Sequence, residues 1–419
     1  MTNGPGREQL LHLLAEAAEI EHNLLCCYLY AAFSLKRSAT EGLRPEEAAA
    51  VVSWHESIMG IALEEMAHLA MVANLTVAIG GRPHFNRPNL PVPPGYHPAD
   101  LIVKLARFDM DTLDHFIYLE RPAGATVADG KGFDHYARYE RSASAAGRAV
   151  MPYAADYETV AELYQALRDG FVSLADDIGE EALFRGDEKS QVGGELLKLP
   201  ALVTVAKLES ALSAIDTIIV QGEGSGADIQ DSHYARFCTI KQEYTRLLAA
   251  RPAFEPAWPA ATNPVMRRPI DAKDRAFVES RRAAEVLDIS NSLYNLLLRL
   301  LGQAYARARP DEATTSALLG LAMKSMRVFG MTAEYLATLP ASDGEPHVHA
   351  GVTFTIFRAT EPLAEGESEW AVIAERVNEI AIRLREVASG TPALQAAMRE
   401  VDALRASASQ RANRGVSGS

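Results

Sequence analysis

The stretch EEMAHLA, residues 64–70, interrupts a helical run that is otherwise apolar from Ile58 to Ala73. Taken in alternating steps of four and three, Trp54, Ile58, Ile61, Glu65, His68, Val72, Leu75 and Ile79 form one stripe along that helix. Glu65 and His68 hold successive positions on it, three residues apart and therefore on one face. Glu64 points off the stripe and reads as a surface residue. A carboxylate inside a bundle is costly unless it is paired or holds a cation.

The preceding helical segment repeats the construction. Leu10, Leu14, Ala17, Glu21, Leu24, Tyr28, Ala31 and Leu35 form a stripe whose single charged member is Glu21. Glu-x-x-His on one inward face, with a glutamate from a neighbouring helix, is the half-site of carboxylate-bridged di-metal bundles. Glu65 would bridge two ions while His68 ligates one of them a turn away. The competing reading is a buried Glu–His hydrogen bond with no metal.

A second half-site is sought in the later helices. The stripe Leu208, Leu212, Ile215 and Ile219 leads to Glu223 in IIVQGEGSG, and the next helix runs His233, Phe237, Ile240, Tyr244 and Leu247. Asp231 or Ser232 would cap that helix just ahead of His233. Glu162, beside Val160, Leu163, Leu167 and Leu174, is the remaining carboxylate, with Glu209 as its rival. The expected metal set is thus Glu21, Glu65, His68, Glu162, Glu223 and His233. Against it, Glu223 would simply belong to a glycine-rich helix end and His233 to a cap or core.

Around these elements the chain reads as all-α, because period-two alternation is nearly absent. Amphipathic segments are expected at about 7–36, 46–79, 157–180, 200–222, 231–249, 272–308, 312–338 and 367–389, with a shorter helix at 99–115. The prolines and glycines of residues 80–98 forbid regular helix, so this stretch is expected as an ordered loop that lids the pocket. A second proline-rich break makes 251–271 the expected linker between a bundle at 1–250 and a C-terminal helical domain at 272–390. Residues 391–419 read as a polar, partly disordered tail.

Composition narrows the function classes. Apolar residues make up 48% and charged residues 23%, and 41 basic against 55 acidic residues give a formal net charge of −14. That balance repels phosphate backbones and speaks against a nucleic-acid partner. With three cysteines, Cys26, Cys27 and Cys238, no signal-peptide pattern and no evident spanning run, a reduced cytoplasmic setting is expected. His347 and His349, in EPHVH, are loop histidines that could serve haem or metal but are more simply solvated. Phosphate-loop, nucleophile-elbow and dinucleotide motifs are absent from the sequence.

Several pieces, in order, resemble a known family: EIEHNLLCCYLY at 19–30, EEMAHLAMVANLTVAIGGRPHFNRPNLP at 64–91, VAELYQAL at 160–167, AIDTIIVQGEGSG at 214–226 and DSHYARF at 231–237. LYNLLLRLLGQAY, LATLP and AGVTF continue the likeness into the C-terminal half. The chain resembles ferritin-like proteins of the iminophenyl-pyruvate dimer synthase type, from violacein and indolocarbazole biosynthesis, as a stand-alone member. The resemblance implies a ferritin-like four-helix bundle with an additional helical half. It also implies an oxidative enzyme of specialised metabolism that couples imines of aryl-pyruvates. It carries Glu21, Glu65, His68, Glu223 and His233 over as ligands, and Glu162 more loosely.

The expected cofactor is therefore iron, Fe(II), about two ions per chain, with haem as the alternative. The expected partners are a small-molecule substrate and O2, with no membrane and a homodimer as the default. Two other classes compete with the enzyme: a metal-binding interaction protein without catalysis, and ferritin-type iron storage.

Overall fold

The computed structural model describes residues 6–93, 96–97, 101–133, 157–222, 231–270, 275–308, 310–358 and 360–416. Among these the architecture is all-α apart from one pair of two-residue strands. The chain divides into two compact units: Met1–His84, Pro91–Lys104 and Phe108–Pro256 form the first, and Phe85–Leu90, Leu105–Arg107 and Ala257–Ser419 the second.

The first unit is built on α1 (Arg7–Ser34) and α2 (Pro45–Ala78), which pack along each other. Every residue of the two sequence stripes is buried, Glu21, Glu65 and His68 included. By length and composition α2 could cross a membrane, contrary to the reading of the sequence, yet 72% of its most apolar window is buried inside the protein. It is the core helix of this unit. α3 (Met110–Leu119) packs on α7 (His233–Ala250), which also meets α2. α4 (Val160–Ile178) lies against α1 and α6 (Leu208–Gly222), with the single turn α5 (Glu180–Leu183) following it.

The starts of α3 and α7 place two buried ionisable residues. α3 begins at 110, not near 99, because the Asp109 carboxylate accepts the Thr112 backbone N–H at 2.9 Å and so fixes the first turn. The helix consequently runs on past residue 115 to Leu119, with Glu120 at its end. α7 is capped by Ser232, one of the two sequence candidates, its hydroxyl accepting the Ala235 N–H at 3.2 Å. His233 therefore opens the helix.

The second unit comprises α8 (Arg281–Tyr305), α9 (Glu312–Leu336), α10 (Glu367–Ala388) and α11 (Gln395–Val416). α8 packs on α9 and α10, and α11 covers α9 and α10. The supposed disordered tail is thus helix through Val416: Ala397, Val401, Leu404 and Ala408 make a buried stripe. Two of its four positions are alanine, which is why it reads as weakly apolar in sequence.

The described part of the expected linker, residues 251–270, is likewise ordered. Phe254, Ala257, Ala260 and Ala261 are buried, and Pro264–Val265 pairs in parallel with Ala276–Phe277. Residues 85–90 of the proline-rich loop belong to the second unit, where Arg87 donates to the Phe354 carbonyl at 2.7 Å and to the Tyr294 hydroxyl at 3.0 Å.

Candidate metal centre

α1, α2, α3 and α7 bring five ionisable side chains to one buried place. Glu21, Glu65 and His68 form one group and Glu65, Glu120 and His233 a second, each with its ligand atoms within 4.8 Å of one another. Glu65 belongs to both. One oxygen of Glu65, Oε2, lies 3.2 Å from His68 Nδ1, while the other, Oε1, lies 3.0 Å from His233 Nδ1. Glu21 Oε2 completes the first group at 3.4 Å from His68 Nδ1, and Glu120 Oε1 the second at 3.6 Å from His233 Nδ1.

These spans suit an ion at the centre of each group. Metal bonds to such ligands run about 2.0–2.2 Å, so ligand atoms on opposite sides of one ion sit about 4.4 Å apart. Two buried atoms, Glu21 Oε2 and His233 Nδ1, have no hydrogen-bond partner among the described residues. Each is one of the atoms that would ligate. The donor set of carboxylate oxygen and imidazole nitrogen suits Fe(II) and similar divalent ions. Three carboxylates with two neutral imidazoles would also offset most of the charge of two such ions.

Outer partners hold the ligands in place. His68 Nε2 lies 3.0 Å from Gln221 Oε1, and His233 Nε2 lies 2.9 Å from Glu64 Oε2, leaving both Nδ1 atoms facing inward. Tyr164 donates to Glu21 Oε1 at 2.5 Å, and Tyr28 donates to Glu120 Oε1. Burial first, then the adjacent carboxylates, push both phenols upward, so they remain protonated donors. Such outer bonds fix ring orientation and ligand basicity.

In the metal-free protein the cluster titrates abnormally. Burial, then the charge of Glu65, raises Glu21 to about 8. Burial would raise Glu65 too, but His233 and the bonds from its neighbours hold it well below the usual range. Burial would lower His68, yet its contacts with Glu21 and Glu65 win and raise it to about 10. His233 is raised for the same reason, by Glu65 and Glu120 against burial.

Of the residues singled out in the sequence, Glu21, Glu65, His68 and His233 meet here. Glu223 lies outside the described residues. Glu162 does not reach the cluster: it sits in the first turn of α4, where its carboxylate accepts the Glu158 N–H at 2.5 Å. Its rival Glu209 is exposed and pairs with Lys207 at 2.5 Å. The residue that sequence reading missed is Glu120, at the C-cap of α3. Leu113, Phe116 and Glu120 follow the same three-then-four spacing that marked Glu21 and Glu65, but an α3 ending at residue 115 hides it.

Glu64 is also misread in the sequence, being only 20% exposed and engaged by both His233 and Arg236. Removing it should cost affinity for one ion in particular. Glu64→Ala is expected to weaken binding in the Glu65–Glu120–His233 group by about 10–100-fold while changing the other group little. A two-site metal titration reads the difference directly.

A cavity of about 20 Å³, room for roughly one water, adjoins Glu21, Glu65, His68 and Glu120, with Tyr164 and Ile218 in its wall. Among the described residues the loop at 80–98 contributes nothing to that wall, so the expected lid is not found there. The loop histidines of the C-terminal half have other uses. His349 Nδ1 lies 2.7 Å from the Ala337 carbonyl oxygen and its ring stacks on Trp258, while His347 is exposed.

The sequence model of the Ferritin-like family matches residues 14–242, which include all five residues of the cluster. The chain belongs to the Ferritin-like family. It is 27% identical over 348 residues to the 2-imino-3-(indol-3-yl)propanoate dimerase of Chromobacterium violaceum, covering 77% of this chain and 32% of that protein. It is also 27% identical over 373 residues to the dichlorochromopyrrolate synthase of Lentzea aerocolonigenes, covering 80% of this chain and 35% of that one. The chain therefore spans about a third of the length of these curated relatives, which agree with the dimer-synthase type that the motifs resemble. A crystal structure of a ferritin-like protein from Caulobacter vibrioides superposes with a TM-score of 0.51 at 19% identity, over 85% of this chain and 100% of that one. That likeness concerns the fold.

Proposed function

We propose that the protein is an iron-dependent oxidative enzyme of specialised metabolism that acts on an amino-acid-derived small molecule, an aryl-pyruvate imine being the first candidate. The observation that carries the reading is Glu65 presenting one oxygen to each of two carboxylate–histidine groups. The names of the two relatives support the substrate class, since one is a dimerase of an indolyl imine and the other a synthase of a dichlorinated chromopyrrolate.

On this reading Glu21, Glu65 and His68 hold one ion and Glu65, Glu120 and His233 the other. The bound iron would supply electrons and open positions for O2. The chain does the rest. Tyr164 and Tyr28 each donate a hydrogen bond to a terminal carboxylate, which steadies Glu21 and Glu120 in their orientations. Glu64 and Gln221 hold the imidazoles with Nδ1 inward. The apolar wall given by Leu24 and Ile218 keeps bulk water from the cluster.

The test begins with anaerobic Fe(II) titration followed by O2 uptake. About two ions per chain are expected, with O2 uptake stimulated at least about tenfold by indole-3-pyruvate with ammonia, the source of the imine. Failure to bind iron would sink the reading. Tight binding without stimulated uptake by any aryl-pyruvate imine would move it to a metal-binding protein without catalysis, and assembly into a large hollow shell to storage.

A further inference from the structure

The cavity of about 20 Å³ at the metal cluster lies on one side of it. It touches Glu21, Glu65 and His68, the whole of the first group, but in the second group it reaches Glu120 and not His233. Behind Glu120 and His233 the space is filled. Phe116, one turn before Glu120 on α3, and Phe237, one turn after His233 on α7, pack on the Tyr28 ring with centroids 4.7 and 5.2 Å away, and on each other at 5.3 Å. All three rings are buried. An ion among Glu21, Glu65 and His68 therefore has open space beside it, whereas one among Glu65, Glu120 and His233 is backed by packed aromatic rings.

Apart from the candidate ligands, the described lining comes from α1, α4 and α6 and carries no charge. Its one hydroxyl, Tyr164, is already committed to Glu21 Oε1. Leu24 and Ile218 are buried while Ala161 and Gly222 are half-buried, so the cavity is deepest at the carboxylates and faces outward between the first turn of α4 and the last turn of α6. Ala161 and Gly222 are the smallest residues of that wall. A Cβ on Gly222 would meet Glu120 Oε2 at 3.5 Å, an ordinary contact, so the position leaves space open without any strain that demands glycine. A wall with no free donor offers an anion nothing in return for leaving water, whereas a neutral diatomic molecule loses little there. Room for roughly one water is room for such a molecule and for little more.

Resting on the metal reading of the cluster, we infer that a neutral diatomic molecule of the O2 class enters between α4 and α6 and binds the ion held by Glu21, Glu65 and His68. Ala161 and Gly222 set the largest molecule admitted. Neither residue holds the metal; each acts through the volume it leaves beside the open position. The two ions are therefore unequal in role, the first open to an incoming ligand and the second closed by Phe116, Phe237 and Tyr28.

The test uses the full chain loaded anaerobically with Fe(II), and nitric oxide as the probe, followed by electron spin resonance. Iron content is measured first in every protein. Nitric oxide should bind the unmodified protein at one ion per chain. Gly222→Ala and Ala161→Leu should keep their iron and weaken nitric oxide binding at least about tenfold, the scale on which one methylene is felt in a filled apolar pocket. Methyl isocyanide, a longer neutral probe, should bind the unmodified protein poorly and Ile219→Ala better, since that change enlarges the same space. Glu120→Ala, which spares the Glu21–Glu65–His68 ion, should still bind nitric oxide. Unmodified protein that takes up no iron would sink the metal reading itself, and this inference with it. Unchanged nitric oxide affinity in both filled variants, loss of iron from both, equal binding of methyl isocyanide before and after Ile219→Ala, or loss of nitric oxide binding in iron-loaded Glu120→Ala would each overturn this inference alone.

Discussion

Glu65→Ala is expected to abolish binding of both metal ions, not one. Most single ligand losses weaken one coordination sphere and leave its neighbour. Here the two oxygens of one carboxylate face different imidazoles, at 3.2 and 3.0 Å, so its removal strips a ligand from each group. It also leaves Glu21 and Glu120 without the shared charge that would hold two cations near one another. An affinity loss of at least about a thousandfold in each group is expected, or roughly 4 kcal/mol per ion. Glu120→Ala should instead spare the Glu21–Glu65–His68 group. The helices should survive both changes, because the stripe flanking Glu65 stays apolar at Ile58, Ile61, Val72 and Leu75. Elemental analysis and a circular dichroism melt of the same preparation check the two halves of this expectation. An Fe(II) titration of Glu65→Ala that still saturates one site tightly would refute the bridging role.

The second large effect concerns pH, and its sign follows from proton counts. Glu21 is raised to about 8, and His68 to about 10, in the metal-free protein. Both groups bind more protons folded than unfolded across the interval between their ordinary and folded values. Stability must therefore fall as pH rises there, by about 1.4 kcal/mol per pH unit for each group fully in its interval. Glu21 acts between about 4.5 and 8 and His68 between about 6.5 and 10. His233 is raised as well and adds to the same trend, whereas Glu65, depressed, contributes a term already complete above its unfolded value. Metal-free protein should accordingly lose stability by about 2–4 kcal/mol from pH 6 to pH 8.

Bound metal is expected to reverse the slope. Ligands must shed protons to bind, so affinity rises over the same interval. The melting temperatures of loaded and metal-free protein should diverge as pH rises, and parallel curves from pH 6 to pH 8 would contradict the protonation scheme. Tyr164→Phe offers a control within this picture. It removes the donor to Glu21 Oε1 and should raise Glu21 further, widening the divergence.

Much of the centre was legible because polar residues on apolar stripes are conspicuous. Glu21, Glu65 and His68 interrupt seams that are otherwise apolar without exception, and helical periodicity converts such an interruption into a direction in space. His233 was legible through its cap, since Ser232 defines where the helix begins. Glu120 carried the same spacing signal but stood at a helix end, and helix ends depend on caps that compete over several residues. Glu162 failed for a related reason: near a helix start a carboxylate can serve the backbone of its own turn, and the sequence does not say which use wins.

What the sequence determined by itself was the helical class, the two long core helices and the inward direction of Glu21, Glu65 and His68, because these depend on periodicities of one segment at a time. Tertiary structure alone decided which third carboxylate joins them and that Glu64, off the stripe, orients His233 from α7. Each of these is a relation between segments far apart in the chain, set by how helices rotate and slide against one another, and no local pattern encodes it.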